Sequence, residues 1–160
     1  MLNLMKKFKI FLSAFIAALI FCAGNVTFAA SYQDMNAEAV QLLNELRQSK
    51  GLRSLVWNPN SALQSAAQLR AKEIERYFSH TRPDGSSCFT VLNQYGLSYR
   101  TCGENIAYGT NLSAEGATDL WINSPGHYKN MINPDFREIG LACYVSGENI
   151  YWVQLFFTRR

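Results

Sequence analysis

The chain has 160 residues, with 15 lysine and arginine side chains against 12 acidic ones and a formal net charge of +3. Three of the lysines lie in the amino-terminal segment, and the remainder has as many basic as acidic residues. A neutral chain lacks the positive excess that sequence-independent binding to nucleic acid or to an anionic membrane requires. We therefore expect neither as a partner, and the size predicts one domain.

The amino terminus has the pattern of a secretory signal peptide. Lys6–Lys9 contains three lysines, the apolar run Ile10–Ala23 follows, and small residues lead to Ala29. The apolar run falls short of the roughly 20 residues that span a bilayer. A lipid anchor on Cys22 is disfavoured because a bulky phenylalanine precedes it. We predict cleavage after Ala29, a single domain over residues 30–160, and a secreted, extracellular monomer without a stable membrane anchor.

Helical patterns dominate the first half of the predicted domain. Apolar residues recur at i, i+3, i+4 and i+7 between Asn36 and Lys50, and Gly51 stands where this helix would stop. After a brief extended piece, Asn58 and Pro59 predict the start of a second helix that reaches Phe78. A turn follows at Pro83 and Gly85, and the pattern predicts a short helix from Ser87 to Tyr95.

The second half has strand patterns around one helix. The run Cys102–Tyr108 alternates with the two-residue period of a strand, so Glu104 shares a face with apolar groups. Ser113 opens a helix whose stripe, Ala117, Leu120, Trp121 and Ser124, leads toward His127, with a break at Pro125–Gly126. Ile139–Val145 and Ile150–Phe157 predict an antiparallel hairpin. This order of elements predicts an α+β layered domain.

Three cysteines, Cys88, Cys102 and Cys143, belong to the predicted mature chain. Export would place them in an oxidising setting, so we expect one disulfide and one remaining thiol. The sequence leaves two pairings open. Cys88–Cys102 would close a short loop, and Cys102–Cys143 would join two predicted strands.

The candidate functional residues are the two histidines of the chain, His80 and His127, together with Glu104. Two imidazoles and one carboxylate form the ligand set of several catalytic zinc centres. The spacing alone is a weak signal, because the three residues lie on three different elements. The alternative is that each is satisfied structurally, the histidines by capping or hydrogen bonding and the glutamate by backbone amides. Ser124 with His127 as a nucleophile and base pair is disfavoured, since no nucleophile elbow surrounds the serine.

Aromatic residues are frequent, at 13% of the chain. Most of them fit core and sheet positions, but a subset would suit a groove for an apolar or peptide ligand, since aromatic rings combine contact area with a polar edge. The members considered are Tyr95, Tyr99, Tyr108, Trp121, Tyr144 and Trp152.

From about Asn36 to Phe157, the chain resembles the CAP superfamily, also named the SCP domain, which comprises cysteine-rich secretory proteins, antigen 5 and plant pathogenesis-related proteins. The resemblance rests on four ordered motifs, which are Phe78-Ser79-His80, Gly103-Glu104-Asn105-Ile106-Ala107, Trp121 to His127 with Asn130-Met131, and Tyr151-Trp152-Val153-Gln154. The chain is most similar to short secreted bacterial members.

The resemblance implies a three-layer α-β-α sandwich with a central antiparallel sheet and an open cleft. In the family the cleft holds two histidines and two acidic residues, and divalent metal is associated with the histidines. His80, His127 and Glu104 match three of these positions, and the fourth, an acid in the family, is Ser124 here. Losing that carboxylate removes a candidate general base and a charge that would favour a cation.

Three functions follow as hypotheses. The first is a secreted binding or interaction module whose cleft of His80, Glu104, Ser124 and His127 takes a lipid, glycan or peptide, with a divalent metal such as zinc on the histidines as a candidate cofactor. The second is a metal-assisted hydrolase or peptidase that uses Glu104 as base. The third is a purely structural His/Glu cluster. We favour the first, a protein that is not an enzyme.

Overall fold

The structure, a computed structural model, describes residues 32–160, so the predicted signal peptide and its cleavage site lie outside the described residues. Residues Met35–Arg160 form one compact unit. The elements in chain order are α1 (32–49), α2 (Ala62–Arg76), α3 (Thr90–Gln94), β1 (Tyr99–Thr110), α4 (Ala114–Ile122), α5 (Pro125–Met131), β2 (Glu138–Ser146) and β3 (Asn149–Arg159).

The three strands form one antiparallel sheet in the order β1-β3-β2. Successive residues of β3 alternate between two cores, with Trp152 and Phe156 on one face and Val153 and Leu155 on the other. Helices α1, α4 and α5 cover the first face, and α2 and α3 cover the second. The predicted α+β, α-β-α sandwich is confirmed.

Helix α2 begins later than predicted. Ser61 is its N-cap, and the serine side chain accepts a hydrogen bond from the Gln64 N–H at 3.1 Å. Asn58 instead accepts from the Asn60 N–H at 2.9 Å, which makes a local turn before the helix. The sequence offers two capping residues three positions apart, and the serine is the one that caps; Leu63, two residues later, is the first buried residue of the helix.

The contact between α2 and the sheet is close enough to require a glycine. A Cβ added at Gly140, on β2, would lie 2.5 Å from the backbone oxygen of Leu63. A backbone atom cannot move away by a rotamer change, as a side chain could. The close packing of α2 on β2 therefore requires glycine, the residue without a side chain, at position 140.

The region around His127 is helical and not a tight turn. Ser113 caps α4, accepting from the Gly116 N–H at 3.1 Å, and α4 ends at Ile122. Pro125 then begins α5, where its missing N–H costs nothing, and α5 carries His127 in its first turn. The predicted break at Pro125–Gly126 therefore separates two helices. Leu120, expected on the buried stripe, is 51% exposed.

The expected disulfide is not formed, since Cys88, Cys102 and Cys143 are free thiols. Cys102 pairs across the sheet with Phe157, whereas Cys143 pairs with Trp152. The two cysteines lie on strands separated by β3 and are offset along it by roughly 16 Å, from a rise of about 3.3 Å per residue. A disulfide requires Cα atoms closer than about 7 Å, so the Cys102–Cys143 pairing is wrong.

Candidate functional site

Glu104 occupies the centre of the site, on the face of β1 that packs toward α2. The residue is 5% exposed, and its carboxylate accepts three hydrogen bonds from two side chains. Arg70 donates two of them, from Nε to Oε2 at 2.8 Å and from Nη2 to Oε1 at 3.2 Å. A planar guanidinium matches a carboxylate in this paired geometry, and the charge of Glu104 is compensated within the protein.

Arg70 was not foreseen as a site residue. It is fully buried on α2 and also donates to Glu73 Oε2 at 2.7 Å and to the Ser79 carbonyl oxygen at 2.9 Å. Burial lowers the pKa of Arg70, but its bonds to Glu104 and Glu73 outweigh this and raise it. One buried cation therefore ties helix α2 to strand β1 and to the segment that precedes His80.

His80 lies just beyond α2, as predicted, and meets Glu104. Its Nδ1 is 2.8 Å from Glu104 Oε1, and its side chain is 54% exposed. The loop around it is fixed by its own backbone, because the Cys88 N–H donates to the His80 carbonyl oxygen at 3.0 Å. Since Nδ1 is engaged, Nε2 is the ring nitrogen that remains for other partners.

A second ion pair supports the first. Arg82 donates from Nε to both carboxylate oxygens of Glu73 at 3.1 Å, and it also binds Thr90 Oγ1 at 3.0 Å and Gln94 Oε1 at 3.1 Å. Burial raises the pKa of Glu73, but the hydrogen bonds and charges of Arg82 and Arg70 overcome that effect and lower it. Arg82, Glu73, Arg70 and Glu104 thus form a row of alternating positive and negative side chains that leads from α3 to His80.

His127 is held from the other face of the sheet. Asn105, the residue after Glu104, donates from Nδ2 to the His127 carbonyl oxygen at 3.1 Å and to Gln154 Oε1 at 3.0 Å. Asn130 on α5 donates to Asn105 Oδ1 at 2.9 Å. Successive residues of a strand point to opposite faces, so Glu104 and Asn105 serve the two histidines separately.

The absence of a side chain at Gly103 allows α5 to pack close to β1. A Cβ at Gly103 would lie 3.2 Å from Asn130 Oδ1 and 3.0 Å from Phe136 Cζ. The predicted Gly103-Glu104-Asn105 motif thus has a distinct task at each position. Gly103 allows the close approach of α5, Glu104 binds the ring of His80, and Asn105 binds the backbone of His127.

The two imidazoles influence each other electrostatically. Burial lowers the pKa of His127, and the nearby charge of His80 lowers it further. His127 is therefore neutral at pH 7, and its ring is an acceptor or a ligand and not a cation. No hydrogen bond joins the His127 ring to the other site residues among residues 32–160.

Ser124 is the N-cap residue of α5, and its side chain makes no capping hydrogen bond. The Ser124 carbonyl oxygen accepts from the Tyr128 N–H at 2.8 Å, so the backbone is part of the helix start. The hydroxyl is half-buried next to the helix that carries His127. The Ser124 side chain is uncharged and shorter than the acidic side chain that the resemblance implies at this position.

A compact donor group consists of His80, Cys88 and Glu104, whose potential ligand atoms lie within 4.8 Å of one another, and His127 is not part of it. Burial, followed by the charge of Glu104, raises the pKa of Cys88 to about 12, so the thiol stays protonated. Zinc binds cysteine as the thiolate, and a bound metal would itself remove that proton. Both oxygens of Glu104 already accept hydrogen bonds from Arg70, so a metal ion in this group would compete with that ion pair.

Aromatic side chains continue the site along the sheet. Tyr108 lies on the same face of β1 as Glu104, and its ring stacks on Tyr151 with centroids 5.5 Å apart. Phe78, two residues before His80, meets Tyr108 edge-on with a centroid distance of 4.7 Å. We term Phe78, Tyr108 and Tyr151 the aromatic patch. Trp121 and Trp152, also considered from the sequence, are fully buried in the core.

The sequence from residue 40 to residue 156 matches the Cysteine-rich secretory protein family, CAP. The chain belongs to the CAP family. An uncharacterised Bacillus subtilis protein, YkwD, is 36% identical over 119 residues, a region that covers 74% of this chain and 45% of YkwD. The chain thus spans about half the length of this curated relative.

Two solved structures show the same CAP fold. An extracellular SCP-domain protein from Bacillus anthracis superposes with a TM-score of 0.67 and 26% identity, covering 80% of this chain and 41% of the other. An outer surface protein from Borrelia burgdorferi has a TM-score of 0.68 and 25% identity, covering 76% and 90%. The first of these proteins is described as extracellular and the second as an outer surface protein. Within residues 32–160, no helix has the length and apolar character needed to cross a bilayer.

The CAP site residues missed from the sequence are Arg70 and Cys88. A signal for Arg70 was present, since it lies three, four and seven residues from Ala67, Ala66 and Leu63, on the buried stripe of α2. A cation on an apolar stripe predicts a buried partner of opposite charge. Cys88 gave no such signal, because the loop that brings it to Glu104 is set by tertiary contacts.

Proposed function

We propose that this chain is an exported CAP-domain binding module, whose cleft at His80 takes a small lipid, glycan or peptide ligand that joins an apolar or ring-bearing part to one polar group. The observation that carries this proposal is the half-exposed His80 ring, two residues after the exposed Phe78 ring that contacts Tyr108. Phe78 and Tyr108 are 45% and 50% exposed, although both are large and apolar. Exposed apolar surface next to a fixed polar group is the composition of a ligand site.

The hydrogen bonds of Glu104 favour binding over catalysis. A general base must have a free oxygen within reach of the proton that it removes. Both oxygens of Glu104 accept from Arg70, and one accepts from His80 as well. Glu104 therefore fixes the orientation of His80, and the outer ring nitrogen of His80 makes the polar contact with the ligand.

The proposal is tested by following ligand binding in NMR spectra of the full chain without its signal segment. The probes are an N-acetylglucosamine trisaccharide, an acetylated tripeptide amide and a short-chain lysophospholipid. We expect one probe class to shift the resonances of His80 and Tyr108 and to bind at least tenfold more weakly to His80→Ala and Tyr108→Ala.

The control variant is Leu120→Ala, which removes an apolar side chain of similar exposure from α4. It should leave the affinity unchanged. Because the His80 ring is half-exposed, His80→Ala is expected to remain folded, and a thermal unfolding curve checks this. If all three probe classes bind the variants as they bind the wild type, or none binds the wild type, the cleft is not a ligand site and the structural hypothesis replaces this one.

Metal binding is the second candidate, favoured by the electrostatic coupling between the two imidazoles. With Glu104 engaged by Arg70, an ion would be held by His80 and His127 alone, and two neutral donors make a weak site. Calorimetry with zinc chloride should show binding that is lost in both His80→Ala and His127→Ala. Peptide hydrolysis that is abolished by a chelator and by Glu104→Gln would instead establish the metal-assisted hydrolase.

A further inference from the structure

A groove separate from the His80 cleft runs between α1 and α4, on the opposite layer of the sandwich. Each helix contributes four side chains at positions i, i+3, i+4 and i+7, and the volume is about 470 Å³. A span of seven residues is about 10 Å along a helix. The lining residues are Leu42, Glu45, Leu46 and Ser49 from α1 and Glu115, Thr118, Asp119 and Ile122 from α4.

The charges of the groove are all of one sign. Glu45, Glu115 and Asp119 are exposed carboxylates, and the groove has no lysine, arginine or histidine among its lining residues. Across residues 32–160, no salt bridge reaches any of the three. Uncompensated carboxylates beside apolar side chains favour a cationic partner and repel anionic lipids and nucleic acids.

The floor of the groove contains a polar group that lacks a partner. Thr118 is 4% exposed, and its Oγ1 makes no hydrogen bond within the described chain. A helical threonine can satisfy its hydroxyl on the carbonyl oxygen one turn earlier, but Thr118 does not. A buried hydroxyl without a partner is costly, so a bound polar group that reached Oγ1 after a side-chain adjustment would be stabilised there.

Apolar contacts complete the surface. Leu42 and Leu46 are partly buried on α1, and Ile122 on α4 is 37% exposed although it is large and apolar. The lining therefore combines three apolar side chains with three exposed carboxylates and two hydroxyls, of which that of Thr118 is buried. Two helical walls, each lined at positions i, i+3, i+4 and i+7, suit the docking of an amphipathic helix in a groove.

A bound divalent cation does not explain the carboxylates. The acidic side chains of the groove do not form a group with ligand atoms within 4.8 Å of one another; among residues 32–160, the group of that kind is His80, Cys88 and Glu104. We propose that the α1–α4 groove binds a cationic amphipathic helix of a partner polypeptide, with leucine-like anchors on its apolar face and lysine or arginine at its margins.

The test uses the full chain without its signal segment and a fluorescein-labelled 18-residue peptide of leucine and lysine, with leucines at i, i+3, i+4 and i+7. Fluorescence anisotropy at 0.05 and 0.3 M salt gives the affinity. We expect binding that weakens with salt and falls about tenfold or more in Glu115→Gln/Asp119→Asn, since two rim charges are removed. Thr118→Val, which keeps the shape of the side chain, should bind at least threefold more weakly without a lower Tm.

The matched control is Asp135→Asn/Glu148→Gln, which removes two exposed carboxylates outside the groove and gives the same net charge. Its affinity should equal that of the wild type. Equal loss in the control, equal binding of a leucine and glutamate peptide, or no loss in the groove variants would overturn the proposal. Self-association or oleate binding that the groove variants abolish would assign the groove to a second copy or to a lipid instead.

Discussion

The guanidinium of Arg70 spans both carboxylate oxygens of Glu104, with Nε 2.8 Å from Oε2 and Nη2 3.2 Å from Oε1. Both side chains are almost inaccessible, at 0% and 1% exposed. A buried pair is costly to break, because the partner that remains is an unpaired charge away from water. The site is consequently coupled to the stability of the fold.

Replacing Glu104 by Gln should therefore destabilise the protein strongly. We expect a loss of about 3 kcal/mol in the free energy of unfolding, measured by urea denaturation, because Arg70 keeps only Glu73 as a charged partner. The double variant Arg70→Met/Glu104→Leu should be more stable than Glu104→Gln, since it leaves no buried charge unpaired. A double variant that loses the sum of both single losses would contradict this account.

Acid should weaken the fold through Glu73. Its folded-state pKa lies below the unfolded value because the bonds from Arg82 and Arg70 outweigh burial. The stabilisation is therefore complete above the unfolded pKa of about 4.3 and is lost as the pH falls through the lower folded value. Urea midpoints between pH 6 and pH 3 should decline, and Glu73→Gln should flatten that decline. An unchanged slope in Glu73→Gln would exclude this source.

The pKa of His127 should depend on the presence of His80. Burial and the charge of His80 lower the pKa of His127, so His127 binds its proton less readily in the folded state than when unfolded. Its contribution to stability is present above pH 6.5 and is lost as the pH falls toward the folded pKa. In NMR titrations of the imidazole resonances, His80→Ala should raise the pKa of His127. The same pKa in both proteins would show that the rings do not interact.

Two glycines differ in whether a neighbouring atom occupies the space that a Cβ would need. Gly140→Ala would place a Cβ 2.5 Å from the Leu63 backbone oxygen, and we expect a loss of about 2 kcal/mol because α2 must shift from the sheet. Gly126→Ala is the matched control, since a Cβ there meets nothing within 4 Å. In helix α5 it should leave stability unchanged or raise it by up to about 1 kcal/mol. Thermal unfolding of the two variants compares them directly.

The free thiols should react slowly while the protein is folded. Burial raises the pKa of Cys143 and, together with the charge of Glu104, that of Cys88 to about 12, and burial raises the pKa of Cys102 to about 11. At pH 8 the thiolate fraction is small, so alkylation by iodoacetamide should be at least about a hundredfold slower than in denaturant. Mass spectrometry of the labelled peptides measures each rate. Rapid labelling of Cys88 in the folded protein would contradict its place beside Glu104.

Local patterns were sufficient for most of the fold. Apolar periodicity predicted α1, α2 and α4, because each helix buries one stripe against the sheet, and continuous apolar runs predicted the hairpin, whose strands are buried on both faces. It misplaced the start of α2, where Asn58 and Ser61 are both capping residues and only packing selects between them. It also missed that Pro125 begins a second helix, since a proline that ends one helix and one that starts another have the same local signature.

The sequence predicted which residues form the site better than it predicted the hydrogen bonds and ion pairs between them. His80 and Glu104 were expected to meet, and they do, at 2.8 Å. Arg70, whose guanidinium determines the role of Glu104, was not among the expected site residues, because the identity of its buried partner depends on the packing of α2 against β1 and not on local spacing. Of the two disulfide pairings left open, Cys102–Cys143 is excluded by the strand order, a tertiary property that the spacing of cysteines does not encode, and Cys88 and Cys102 are free thiols as well.

Strand β1 lies at the edge of the sheet and pairs with β3 alone. Glu104 faces Leu155 and Asn105 faces Gln154 across that pairing. A slip of one residue would turn Glu104 away from Arg70 and Asn105 away from α5 in the same step, since the side-chain period of a strand is two. His80 would then lose its contact with Glu104 and His127 its contact with Asn105 at the same time. The site therefore forms, or is lost, as one unit with the pairing of β1 and β3.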